Sequence, residues 1–257
     1  MILPCYPNES DVLKRLTVRL LLDSERAQFD RLLEQEHYLH QPLLAGETLR
    51  YVAELDGQWV ALLTFSAASL HLKAREKWIR WTPRQRARRL TMIANNSRFL
   101  VLLDRQRYPN LGSRVLGLGL RRLSQDWQEQ WRHPILAVET FVDESRFRGT
   151  CYRACGFEAV GPTAGFARAS RDFYPYHGQP KQLYLRELQP GGRRLLRQAR
   201  WPEELAQFEA NVTGPCPFRG PSLERLLDRF RALPEARSGH GLRHQQRFVL
   251  ACAAVST

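Results

Sequence analysis

Long apolar runs are missing from this sequence. No stretch approaches the ~18 apolar residues of a membrane-spanning helix, so no membrane association is expected. The opening residues, "MILPCYPNESDVLKR", lack the basic start, apolar middle and small-residue cleavage site of a secretory signal. Cysteine is sparse: Cys5, Cys151, Cys155, Cys216 and Cys252. An odd, scattered set argues against a disulfide framework. Cys151 and Cys155 lie close together, but no second Cys/His pair completes a zinc site, and no metal is expected. These absences point to a cytoplasmic protein with free thiols. Acidic residues are in deficit too, with 26 Asp+Glu against 39 Lys+Arg and a net charge of +13. Most of the positive charge is arginine, whose planar fork suits phosphate and carboxylate. Nucleic acid is therefore one expected partner. A solvated arginine-rich surface is the other reading.

Internal repeats and low-complexity segments are also absent from the sequence. What is present alternates between strand and helix signals. Val18, Leu20 and Leu22 alternate as a short strand. Asp23 or Ser24 then caps a helix carrying Phe29, Leu32, Leu33 and Tyr38 at helical spacing. "LDGQ", centred on Asp56-Gly57, reads as a hairpin turn between "LRYVAEL" and "WVALLTFS". Thr82-Pro83 starts a basic helix. "RFLVLL" reads as a core strand preceded by the polar "NNSR". An amphipathic helix follows over "PNLGSRVLGLGLRRLSQDWQEQW", then the strand "PILAVETFV". "TCYRACGF" makes a short helix ending at Gly156, and "EAVGPT" and "KQLYLREL" complete the sheet. "QPGGRR" marks a boundary near residue 190. The expected architecture is a mixed α/β sheet flanked by helices over 1–190, with a helical extension over 191–257.

The order of these elements resembles the GCN5-related N-acetyltransferase fold, and "CYRACGFEAVG" is similar to that fold's closing motif. The resemblance implies that Tyr152 is a general acid. It also implies a phosphate-binding loop at "PNLGSRVL". There Gly112 is present, but Arg114 and Leu116 stand where small residues belong, so acetyl-CoA is not carried over as a cofactor. A closer resemblance is to the DruA-like family, found in Druantia anti-phage systems and beside transposase domains. "EHYLHQPLLAGETLRYVAELDGQWVALLTF", "IANNSRFLVL", "NLGSRVLGLGLRRLSQDWQEQW", "PILAVETFVDESRFRGTCYRACGFEAVGPTAG" and "QLYLREL" carry it. The tail "PSLERLLDRFRALPEARSGHGLRHQQRFVLACAAVST" is similar to the start of the N-terminal domain of certain insertion-sequence transposases. The acidic catalytic domain that follows there is missing, so this chain is not expected to be a DDE transposase by itself. The setting implies nucleic acid, or protein partners of a defence or transposition system.

The densest polar stretch is "ETFVDESRFRGTCYRACGF". Glu139, Thr140 and Asp143 lie at and beyond a strand end, where ligands bind in open α/β sheets. Glu139 is a candidate general base, or a carboxylate held by Arg146, Arg148 or Arg153. Cys151 is a candidate nucleophile at a helix start, or a buried thiol. Thr150 and Arg148 flank it. Asn95, Asn96 and Arg98 face the same cleft, or form a turn of their own. His37 and Tyr38 end the first helix above that cleft, or cap it. Lys73, Arg75, Lys77, Arg80, Arg84, Arg86, Arg88 and Arg89, interleaved with Trp78 and Trp81, form a candidate nucleic-acid surface. The other reading is a solvated helix face over two core tryptophans.

Overall fold

The computed structural model describes residues 8–41, 44, 46–165, 178–209 and 230. The chain divides into two compact units, Met1–Ala210 and Asn211–Thr257. The transposase-like tail, apart from Phe230, and Cys5, Cys216 and Cys252 lie outside the described residues.

A seven-stranded sheet forms the centre of the first unit, in the order β1-β2-β3-β4-β5-β7-β6. Its strands are β1 Thr17–Leu20, β2 Thr48–Leu55, β3 Gln58–Ala67, β4 Ile93–Val101, β5 Ala137–Val142, β6 Glu158–Pro162 and β7 Gln182–Glu187. Only β4 and β5 pair in parallel. The β2–β3 hairpin turns where expected, with Asp56 and Gly57 both at positive φ (51° and 79°), the geometry of a type I′ turn. The structure corrects one boundary. "NNSR" is not a turn before β4 but lies inside it.

Strand alternation sends neighbouring side chains to opposite faces, and each face has its own cover. Leu63, Phe65 and Val138 meet the long helix α5 (Leu111–Trp131), through Val115, Leu116, Leu120, Leu123 and Trp127. These positions recur every three or four residues and make one apolar stripe. Gly119 faces Leu63: a Cβ there would sit at ordinary contact distance, 3.5 Å, from Leu63 Cδ1. The short helix α1 (Glu9–Arg15), which sequence reading missed, adds Val12 to this layer.

On the other face, α2 (Arg26–Glu36) packs Phe29 and Leu33 on Val52, Leu62 and Leu100. Beside it, α3 (Lys73–Ile79), α4 (Pro83–Arg89) and α7 (Gly192–Arg197) cover Ile93, Ala137, Leu183 and Leu185. Thr82 caps α4 as its sequence implies, accepting from Gln85 N while Gln85 reaches back to Thr82 N. The first unit continues past residue 190 because Leu196 and Trp201 are buried with Trp78, Trp81 and Met92.

Candidate functional site

The parallel strands β4 and β5 pair only over Ile93–Asn95 and Ala137–Glu139. Both then run on, to Val101 and Val142, without further backbone pairing to each other. A register shift helps to part them. Phe65 faces Asn96 while Thr64 faces Arg98, which leaves Ser97 as an extra residue in β4. The strands splay into a wedge that opens into a cavity of about 370 Å³. Asn96, Ser97 and Phe99 line it from β4, and Thr140 and Val142 from β5. His37 and Tyr38 close one end, and residues from the loops 105–112 and 146–149 and from the helix α6 (Thr150–Ala154) close the rest.

A connected set of hydrogen bonds forms the floor. Tyr152 Oη donates to Asn96 Oδ1 at 2.7 Å. Asn96 Nδ2 donates to Thr64 O at 3.1 Å, and Thr140 Oγ1 to Asn96 O at 3.0 Å. Burial raises the Tyr152 hydroxyl well above its ordinary range. It is therefore a neutral donor, already committed to Asn96. Gly149, at φ 65°, sets up the start of α6, and a Cβ there would lie 2.7 Å from Tyr184 Oη. That turn leaves Arg148 and Thr150 exposed along the cavity wall.

Cys151 also lines the wall, but its chemistry runs against the nucleophile reading. Burial, followed by the adjacent Cys155, pushes its thiol up to about 11. An activated thiol needs the opposite shift.

His37 is almost fully buried at 4% exposure. Leu39 N–H donates to His37 Nδ1 at 3.2 Å, which puts the proton of the neutral ring on Nε2. Burial, then the nearby positive charges of Arg98, His40 and Lys181, lower its pKa to about 4. The Tyr38 ring meets Phe147 edge-on at 5.4 Å, and burial raises its hydroxyl.

Four expected cleft residues lie elsewhere. Glu139 is fully buried on the opposite face of β5 from Thr140. Its carboxylate accepts from Arg75 Nη1 at 2.8 Å and from Ser69 N at 2.9 Å. Asn95 pairs in register with Glu139 and shares that face. Arg98 sits behind the wall, donating to Gln41 O at 2.8 Å and Ser97 O at 2.7 Å. Asp143 caps its own turn by accepting from Ser145 N and Oγ at 3.1 and 2.6 Å. Sequence reading missed Arg105, Tyr108 and Phe147, which reach the cavity from loops. Loop residues carry no periodicity that would have marked them.

A family described as Druantia protein DruA matches residues 8–177. This chain belongs to the DruA family. No curated protein matches it. Solved structures similar to this DruA protein are acetyltransferases. Aminoglycoside acetyltransferase AAC(6')-Ib in complex with coenzyme A has 16% identity and a TM-score of 0.46, over 69% of this chain and 98% of that one. Spermidine/spermine N-acetyltransferase SpeG from Vibrio cholerae has 13% identity and a TM-score of 0.39, over 69% and 95%. Aminoglycoside 6'-acetyltransferase type Ii has 10% identity and a TM-score of 0.40, over 67% and 97%.

The start of α5 holds a carboxylate that opposes the pyrophosphate of acetyl-CoA. A phosphate would need free backbone N–H groups there. Instead the Glu9 carboxylate, from α1, accepts from Asn110 N at 2.7 Å and Asn110 Nδ2 at 3.0 Å. Arg114 Nε donates to Leu13 O at 3.1 Å, holding α1 across this turn. A resident carboxylate would repel a phosphate.

The basic run is divided by the fold. Arg75 is fully buried against Glu139. Arg89 is 3% exposed, bonded to Glu209 and to the carbonyls of Leu196 and Gln198, with Trp201 against its guanidinium. These two are internal ties rather than a binding surface. Arg86 and Arg88 are half-buried beside Glu76 and Glu209. Lys73, Lys77, Arg80 and Arg84 are exposed. Arg194, Arg197 and Arg200 are exposed as well. They join the same layer because Gln85 Nε2 donates to the carbonyls of Arg197 and Gln198.

Proposed function

We propose that this DruA-family protein binds nucleic acid through the layer formed by α3, α4 and α7, in a defence or mobile-element setting. One observation carries the reading. Lys73, Lys77, Arg80, Arg84, Arg194, Arg197 and Arg200 are all exposed there. The one acidic residue within 73–89 and 192–200 is Glu76, which is occupied by Trp81 Nε1 and Arg86. Exposed cations that form no ion pair among the described residues can displace counterions from phosphates. Trp78 and Trp81 are buried, so contact falls to charge rather than to base stacking. Titration of labelled single-stranded and duplex DNA into the full chain tests this, using a variant with Lys77, Arg80, Arg84 and Arg197 changed to Glu. Binding by wild type that the variant loses supports the reading; equal binding by both refutes it. Protein partners of the same system are the competing occupants of this layer, and their binding would depend less steeply on salt.

A second reading, favoured by the wedge between β4 and β5, makes the cavity the site of acyl-transfer-type chemistry with a donor other than acetyl-CoA. In it Tyr152 supplies a hydroxyl at the floor. Glu139 has no part in it, because its carboxylate faces away from the cavity and is engaged by Arg75.

A further inference from the structure

Among the described residues, the His37–Tyr38 end of the wedge carries an excess of positive charge. Arg98 is 9% exposed, yet its bonds run to two backbone carbonyls and it forms no ion pair among the described residues. A buried guanidinium normally has a carboxylate partner. Arg146 and Lys181 flank the Tyr38 ring, each 5.6 Å from its centroid. Among the described residues, Asp143 is the carboxylate that answers them, at 3.5 Å from Arg146 Nε. Burial and the approach of Arg98 lower the Lys181 pKa, with Asp143 opposing. Among the described residues, these three cations against one carboxylate leave two positive charges in excess. His37 and Tyr38 add neutral donors, since neither His37 Nε2 nor the Tyr38 hydroxyl has a hydrogen-bond partner among the described residues. Among the described residues, no carboxylate lines the cavity.

We propose that this end of the wedge binds the phosphate of a small aromatic phosphate monoester, of the nucleoside monophosphate class. A phosphate monoester carries about −1.5 to −2 at neutral pH, which matches the excess where a single carboxylate would not. Arg146 and Lys181 hold the phosphate through charge-assisted bonds, Arg98 adds its charge from behind the wall, and His37 Nε2–H and the Tyr38 hydroxyl complete its shell. Tyr38, Phe147 and Phe99 offer ring faces and edges for the aromatic part. The cavity falls within the roughly 300–1,000 Å³ of small-molecule sites. A cationic amine, the kind of substrate named for SpeG, is excluded by the same charges. This site is separate from the α3–α4–α7 layer, and the two stand or fall independently.

Calorimetric titration of the full chain at low salt tests it, with adenosine monophosphate, adenosine and spermidine as probes. Adenosine monophosphate should bind and spermidine should not. Removing the phosphate, as in adenosine, should cost at least about tenfold in affinity. Lys181→Gln and Arg146→Gln, neither in the core, should each weaken adenosine monophosphate by roughly tenfold. The variant reversed at Lys77, Arg80, Arg84 and Arg197 should bind it as wild type does. Adenosine binding as tightly as its monophosphate would overturn the proposal. So would affinity unchanged in both glutamine variants, or lost in the surface-reversed one.

Discussion

Arg75 Nη1 and Glu139 Oε2 lie 2.8 Å apart, and both side chains are fully buried. Their attraction offsets a desolvation cost of several kcal/mol per ion. Glu139→Gln leaves the guanidinium charge buried without its counter-ion. The expected loss is about 3–5 kcal/mol of unfolding free energy, read by urea denaturation. Combining Arg75→Met with Glu139→Leu should recover most of it, because no charge is then left uncompensated. A Glu139→Gln protein as stable as wild type would show that the pair does not hold α3 to the sheet.

The bond from Tyr152 Oη to Asn96 Oδ1 is a smaller contribution. Tyr152→Phe keeps the ring contacts with Phe99, Phe157 and Tyr184 and leaves a buried amide oxygen unpaired. A loss of about 1–3 kcal/mol follows, checked by the shift in denaturation midpoint at constant slope. A double change with Asn96→Val should be less than additive, since each single change breaks the same bond.

His37 gives stability a pH dependence. Its folded pKa, about 4, lies below the ordinary value of 6.5. As pH falls through that interval, the unfolded chain takes up a proton that the folded one refuses. Stability at this residue is therefore full above about 6.5, falls as pH drops towards about 4, and is constant below. The total loss is at most about 3 kcal/mol. Tyr38, Arg98, His40, Asp143 and Lys181 share this environment. Subtracting the profile of His37→Gln from that of wild type isolates the effect. A flat difference curve between pH 7 and 5 would contradict it.

Strand parity explains both what the sequence disclosed and what it hid. The hairpin at Asp56-Gly57, the cap at Thr82-Pro83 and the helix end at Gly156 were legible because each depends on local backbone chemistry. The cleft was half legible. Glu139 and Thr140 are adjacent in one strand, and so are Asn95 and Asn96, so only one of each pair can face the cavity. The polar "NNSR" concealed a strand interior, and with it the parity. Arg75 was legible in retrospect: Trp78 and Ile79 follow it at three and four residues, which puts all three on one buried helix face. The bulge at Ser97 and the loop residues Arg105, Tyr108 and Phe147 depend on long-range pairing that local pattern does not encode. The match between Arg89 and Glu209 is of the same kind.

The salt dependence of DNA affinity tests the exposed cations of α3, α4 and α7 most directly. The logarithm of affinity should fall linearly with the logarithm of salt concentration, with a slope of roughly 0.9 per phosphate neutralised on duplex DNA. Changing Lys77, Arg80, Arg84 and Arg197 to Glu should abolish tight binding. Single changes to Gln should each lower the slope by about one where that residue meets a phosphate. Binding with no salt dependence, or with a slope unchanged in every variant, would contradict a nucleic-acid surface on this layer.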